Sequence, residues 1–155
     1  LSSTKEKALE IMKDSRIGSF GVIGIFCLLL LKFALLLNVE TLWKSLILMC
    51  IFSRFFQVFC CFFSTYPKNS GTGKAFIGYR KKKGIIFGFL FTMLFFLLLD
   101  KIGGIILFFT SIIPPILFFL YIKRRIGGMT GDTIGACSEI AEVSFLLFCC
   151  LFNIS

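Results

Sequence analysis

The chain alternates between long apolar runs and short polar stretches. Five of the runs approach the roughly 20 residues that an α-helix needs to cross the hydrocarbon of a bilayer. A helix satisfies its own backbone hydrogen bonds, which lipid cannot do, so runs of this length predict transmembrane helices. The pattern therefore predicts an all-α, polytopic integral membrane bundle with about five spans. The predicted spans are Ile17–Leu37, Leu42–Tyr66, Gly84–Leu99, Ile102–Ile122 and Ile134–Ile154.

The segment before the first span is amphipathic instead. Ser3–Glu6 offers a capping box, and Ala8 and Leu9 belong to an apolar stripe opposite charged residues. This pattern predicts a short helix at the membrane surface. We therefore expect a single membrane domain over the whole chain, with an interfacial helix in residues 1–16 and a transmembrane bundle in residues 17–155.

Composition supports the membrane assignment. Hydrophobic residues make up 57% of the 155 residues, 22 residues are Phe, and only 16% carry charge. One soluble core of this size cannot cover so much apolar surface, so lipid must solvate part of it. The Phe and Leu runs are accordingly predicted to face lipid, and Pro114-Pro115 is predicted to kink the fourth span.

The net charge of +9 is concentrated on one side of the predicted bundle. Residues 67–83 carry several basic residues and no acid, whereas the loops at 38–41 and 100–101 are short and nearly neutral. The positive-inside rule then predicts that residues 1–16, 67–83 and 123–133 face the cytoplasm. Orientation and attraction to anionic lipid explain the charge, which argues against nucleic acid binding.

A glycine-rich, charged segment near the end of the chain indicates the chemistry. Asp132, Glu139 and Glu142 fall within about 80° of one face of an unbroken helix, and three carboxylates on one face suit a divalent cation. Glycines on both sides of Asp132 would let backbone amides approach an oxyanion. Basic residues stand just outside, at Lys123, Arg124 and Arg125. This grouping predicts a metal-assisted phosphate site at a membrane surface.

Lys32 and Arg54 are basic residues inside predicted spans. Lys32 is close to the outer end of its helix, so its amine is expected to extend to the interface, and we predict no functional role for it. Arg54 lies near mid-span, where a lipid-facing guanidinium costs at least ~2.5 kcal/mol on the insertion scale. Arg54 is therefore either a structural ion pair with Glu139 or Glu142, or a phosphate ligand.

Two blocks of the sequence resemble one known family. They are Glu10–Gly21, which contains Met-Lys-Asp-Ser-Arg, and Arg125–Ala136, which is followed by Glu139 and Glu142. Both look like cobalamin synthase, also called adenosylcobinamide-GDP ribazoletransferase. The family carries an aspartate-rich segment before the first block, and that segment is missing here. The chain is therefore expected to be the C-terminal part of such an enzyme.

The resemblance implies an enzyme that joins α-ribazole to adenosylcobinamide-GDP, with release of GMP, in adenosylcobalamin biosynthesis. It implies Mg²⁺ as cofactor, the bilayer as partner, and a bacterial or archaeal inner membrane, with oligomeric state left open. The implied catalytic residues are Asp14, Arg16 and Asp132. The implied metal ligands are Asp132, Asp14, Glu139 and Glu142. The implied phosphate-binding residues are Arg54, Lys74, Arg125, Gly127, Gly128, Thr130 and Gly131, of which Lys74 belongs to a Gly-rich turn that lacks P-loop spacing.

Two other classes of protein remain open at this stage. Another membrane phosphotransferase, such as one that uses CDP-activated alcohols, would also place acids and arginines at the boundary, although its aspartate-rich signature is absent. A transporter would use Arg54, the two glutamates and the Pro-containing helix as an ion path. The spans are too uniformly apolar to favour that alternative.

Overall fold

The structure is a computed structural model that describes residues 2–12, 16–67, 77 and 82–153. The regular structure of these residues is helical, which confirms the all-α prediction. The helices coincide with the apolar runs because, in lipid, the backbone N–H and C=O groups of each run must form hydrogen bonds within that run. They are α1 (Ser2–Ile11), α2 (Ser19–Leu36), α3 (Leu42–Phe63), α4 (Lys82–Ser111), α5 (Ile113–Ile126) and α6 (Gly131–Phe152).

The described helices confirm an integral membrane bundle. Four helical stretches are long and apolar enough to cross a membrane, which is close to the five spans predicted. The third and fourth predicted spans are counted together in the stretch Lys82–Ile126, which contains a reversal of the chain at Lys101. The four stretches are Ser19–Leu36, Leu42–Phe63, Lys82–Ile126 and Gly131–Phe152.

Helix α4 turns back on itself at Lys101, whose backbone is non-helical with φ 50 and ψ −130. The ring centroids of Phe89 and Phe108 are only 5.9 Å apart, whereas a straight helix would separate these positions by roughly 28 Å. The reversal requires a glycine at position 104, since a Cβ on Gly104 would lie 2.3 Å from the carbonyl oxygen of Phe96. The first limb of α4 therefore ends, and the second limb begins, where a loop between two spans was predicted.

The predicted proline kink is a helix start. Helix α5 begins at Ile113 and carries Pro114 and Pro115 as its second and third residues. Proline fits there because the first amides of a helix have no intrahelical acceptor. Backbone bonds from Ile112 to Phe108 and from Ile116 to Ile112, both 3.2 Å, keep the path nearly helical across the break.

Phenylalanine forms the centre of the bundle. The ring of Phe52 on α3 lies 5.5 Å from that of Phe108 and 6.1 Å from those of Phe96 and Phe145, so it joins α3 to both limbs of α4 and to α6. These four side chains are fully buried. The prediction that the Phe runs face lipid is therefore wrong for these four residues, because hydropathy does not distinguish a side chain that faces lipid from one that faces protein.

Helix α2 lies at the margin of the bundle. It has no buried residue and packs mainly on α6. The two helices run parallel, since Leu28 lines a cavity beside Ile140 while the thiol of Cys150 donates to the carbonyl of Leu35 at 3.4 Å. Their N-termini therefore lie at the same end of the bundle.

Candidate functional site

The glycine-rich segment predicted to bind phosphate connects α5 to α6. Gly127 ends α5 in the left-handed conformation, with φ 79, which glycine adopts without steric cost. Thr130 caps α6 through a reciprocal pair of bonds with Thr133, in which each backbone N–H donates to the other residue's hydroxyl oxygen. This cap starts the helix at Gly131, three residues before the predicted Ile134, and so places Asp132 in its first turn.

The same segment is fastened to the end of α3. The N–H of Met129 donates to the carbonyl of Thr65 at 3.0 Å, and the Thr65 hydroxyl donates to the carbonyl of Gly127 at 3.1 Å. A Cβ on Gly128 would lie 2.0 Å from the Thr65 oxygen. Gly128 therefore serves a close contact between two backbones, a constraint that the sequence alone did not reveal.

Charged side chains surround this segment and remain accessible. Asp132, Arg124 and Arg125 are exposed, and a Cβ on Gly131 would meet nothing within 4 Å. Arg16, also exposed, precedes α2, whose N-terminus is at the same end of the bundle. We call the residues around the α5–α6 connection, residues 64–67 and Arg16 the polar end.

Lys123 of the same basic cluster has a structural contact. Its amine donates to the carbonyl of Phe63 at 3.0 Å and lies 5.5 Å from the centroid of the Phe119 ring. A lysine at a helix C-terminus also interacts favourably with the helix dipole. Lys123 therefore helps to hold α5 against α3, whereas the guanidinium groups of Arg124 and Arg125 have no hydrogen bond to the described part of the chain.

Two of the predicted acids lie deeper and belong to a charged group that the sequence analysis missed. The amine of Lys32 is 2.5 Å from Glu139 and 2.6 Å from Glu142. We call these residues the ion triad. The interpretation of Lys32 as an interface-seeking side chain without a role was wrong, since its side chain is only 16% exposed and joins α2 to α6. A cation in one apolar span and two acids in another were the available sequence signal.

Arg54 does not pair with either glutamate. Its guanidinium donates to the amide oxygen of Gln57 at 3.0 Å, and Gln57 in turn donates to Ser138 on α6 at 3.1 Å. Arg54 is exposed and lines a cavity of about 340 Å³ between α3 and α4. The alternative of an ion pair with Glu139 or Glu142 is therefore replaced by the ion triad, and the phosphate role of Arg54 stays a prediction.

The predicted metal set is only partly described. Asp14, a predicted metal ligand, lies outside the described residues, as does Lys74, a predicted phosphate-binding residue. Within the described part of the chain, no group of three or more His, Cys, Asp or Glu side chains is arranged to hold a metal. Along α6, Glu139 and Glu142 lie roughly 10 and 15 Å from Asp132, and both already contact the Lys32 amine. The assignment of Mg²⁺ to these residues stays a prediction.

A groove of about 550 Å³ lies between α2 and α6, and we call it the α2–α6 groove. One wall contains Gly21 and Gly24, where small residues leave room between the helices. The opposite wall contains Ala136 and Glu139, so the ion triad contributes a carboxylate to it. Apolar side chains complete the lining at Ile25, Leu28, Leu29 and Ile140.

These features define a helical membrane protein with a polar, glycine-rich site at one end of the bundle and an apolar groove between α2 and α6. The chain belongs to the cobalamin-5-phosphate synthase family, whose model matches residues 1–150. The match includes both sequence blocks that carried the resemblance, and it extends through all but the last two residues of α6.

Proteins named adenosylcobinamide-GDP ribazoletransferase are similar to this chain over most of its length. The one from Clostridium botulinum strain Kyoto is 39% identical over 148 residues, which cover 92% of this chain and 59% of that protein. The one from Alkaliphilus oremlandii is 39% identical, and the matched region covers 93% of this chain and 58% of that protein. The one from Clostridium kluyveri strain NBRC 12016 is 34% identical, and the matched region covers 95% of this chain and 60% of that protein.

The chain thus spans about three fifths of the length of these relatives. No solved structure matches it.

Proposed function

We propose that the protein acts as an adenosylcobinamide-GDP ribazoletransferase. The observation that carries this proposal is the family match over residues 1–150, supported by relatives that bear this name. In the proposed reaction a ribazole hydroxyl attacks the phosphate nearest cobinamide. A new phosphorus–oxygen bond forms, the bond to the bridging oxygen breaks, GMP leaves with the electron pair, and the hydroxyl proton passes to water.

The polar end suits this chemistry because phosphoryl transfer depends mainly on positioning and on neutralising charge. Arg125 and Arg16 would bind the diphosphate, since a guanidinium offers paired donors to phosphate oxygens. The first-turn N–H groups of α6 at Gly131 and Asp132 have no intrahelical acceptor and would donate to a bound anion. Gly131 leaves open space for that approach.

The residues at the polar end fit a divalent cation through Asp132. Carboxylate oxygen is the ligand that Mg²⁺ prefers, and Asp132 presents an exposed carboxylate beside the proposed phosphate site. We assign Asp132 to the metal, with Asp14 as its proposed companion, and the ion when bound would offset charge on the transferred phosphate. We infer that Glu139 and Glu142 contribute through the ion triad instead, since the Lys32 amine lies 2.5 Å from the first and 2.6 Å from the second.

We also propose that the polar end faces the cytoplasm of a bacterial or archaeal inner membrane. The support is the distribution of charge along the sequence, because α5 ends in three basic residues and the sequence of residues 67–83, which follows α3, carries several basic residues and no acid. Both substrates are polar metabolites, so an aqueous site on this side would receive them directly.

Release of GMP by the full-length protein in detergent tests the function. The assay supplies adenosylcobinamide-GDP, α-ribazole and Mg²⁺, and omits each in turn. We expect release only when all three are present. A folded, full-length sample that released no GMP would overturn the proposal, and a labelled CDP-alcohol product would replace it with the other class of phosphotransferase.

A further inference from the structure

The α2–α6 groove has the size of a small-molecule site. Its volume of about 550 Å³ lies within the range of roughly 300–1,000 Å³ that is typical of ligand pockets. The lining is apolar except for one carboxylate, that of Glu139. Gly21, Gly24 and Ala136 leave the space unfilled, since none of them has a side chain that extends beyond a Cβ.

Charge in the groove favours a ligand that donates hydrogen bonds. Lys32 supplies one positive charge to the ion triad, while Glu139 and Glu142 supply two negative charges when ionised. The Glu139 side chain is 45% exposed, against 17% for Glu142. A carboxylate in apolar surroundings gains most from donors on a ligand and disfavours an anion.

One end of the groove lies close to the polar end. Gly21 lies in the first turn of α2 and Ala136 in the second turn of α6, so the upper rim of the groove adjoins Arg16 and Asp132. A ligand in the groove would present one end to the proposed phosphate site. The groove therefore fits an acceptor molecule better than it fits the phosphorylated donor.

We propose that the α2–α6 groove binds the acceptor nucleoside, α-ribazole. Its bicyclic base would pack between the apolar walls, and a ribose hydroxyl would donate to Glu139. The other substrate carries a diphosphate and a corrinoid ring, so it is repelled by the carboxylate and exceeds the space. This inference rests on the proposed function, since it names the site of one of its two substrates.

The test compares two identical substitutions in the full-length protein. Ala136→Leu fills the groove with an isobutyl group, whereas Ala34→Leu makes the same change at an exposed position of α2 outside the groove. We expect Ala136→Leu to raise KM for α-ribazole roughly tenfold or more, with KM for adenosylcobinamide-GDP unchanged. Ala34→Leu should leave both values unchanged. Ala136→Val provides a smaller effect in the same direction if the leucine variant does not fold.

A binding measurement separates this inference from the proposed function. Equilibrium dialysis of labelled α-ribazole against the full-length protein needs no turnover, so binding that is lost in Ala136→Leu supports the groove even if no GMP is released. A folded Ala136→Leu protein with normal affinity and KM for α-ribazole overturns the proposal and leaves lipid, or the remainder of the parent protein, as the occupant. A selective rise in KM for adenosylcobinamide-GDP overturns it in favour of the donor substrate.

Discussion

The contact between Gly128 and Thr65 predicts a large effect from adding one methyl group. A Cβ at position 128 would lie 2.0 Å from the Thr65 oxygen and 3.0 Å from its carbonyl carbon. Ordinary contacts between carbon and oxygen begin at about 3.3 Å, so the two backbones would have to separate by more than about 1 Å. That movement would break the 3.0 Å bond from Met129 to Thr65.

The expected cost of Gly128→Ala follows from these two effects. Overpacking at a close contact costs about 1–3 kcal/mol, and loss of the backbone hydrogen bond adds about 1 kcal/mol. We therefore expect the free energy of unfolding to fall by about 2–4 kcal/mol. Because the segment ends at the proposed phosphate site, GMP release should fall as well.

Gly135→Ala is the matched control. Gly135 lies inside α6, and a Cβ there would meet nothing within 4 Å. A helix interior is more stable with alanine than with glycine by up to about 1 kcal/mol, so the stability of this variant should be unchanged or slightly higher. Thermal or SDS-induced unfolding of both full-length variants measures the difference. Equal stability of Gly128→Ala and Gly135→Ala would refute the close backbone contact.

Two further predictions concern the charges. Lys32→Met should lower the free energy of unfolding by about 3 kcal/mol, which is the lower end of the range for breaking a buried ion pair, because Glu139 is half exposed. Lys83→Met, at an exposed position, is its control. Equal unfolding midpoints for the two variants would show that the ion triad contributes nothing to stability. Asp132→Asn should reduce Mg²⁺-dependent turnover by roughly tenfold to a hundredfold or more, while Asp100→Asn at the opposite end should not. Normal turnover and Mg²⁺ dependence in Asp132→Asn would make the metal assignment wrong.

The local features of the proposed site were accessible from the sequence, but its connections were not. Glycines and threonines that cap helices act within a few residues, so the segment around Thr130 was predictable as a turn between two helices. The clamp on Gly128 depends on Thr65, which is distant in the chain. One of the two alternatives for Arg54 paired it with Glu139 or Glu142, yet these acids contact Lys32, because the packing of α2 and α3 against α6 decides which basic side chain reaches them.

The sequence by itself determined that this chain is a helical membrane protein, because the requirement for about 20 apolar residues and an internally bonded backbone acts on each segment separately. It also carried the two motif blocks on which the family resemblance rests. Only the tertiary structure decided that Phe52 lies in the core while many other apolar residues lie outside it, that α4 folds back at Lys101, and that a groove remains between α2 and α6. Apolar side chains pack equally well against lipid and protein, so these choices depend on contacts between distant segments.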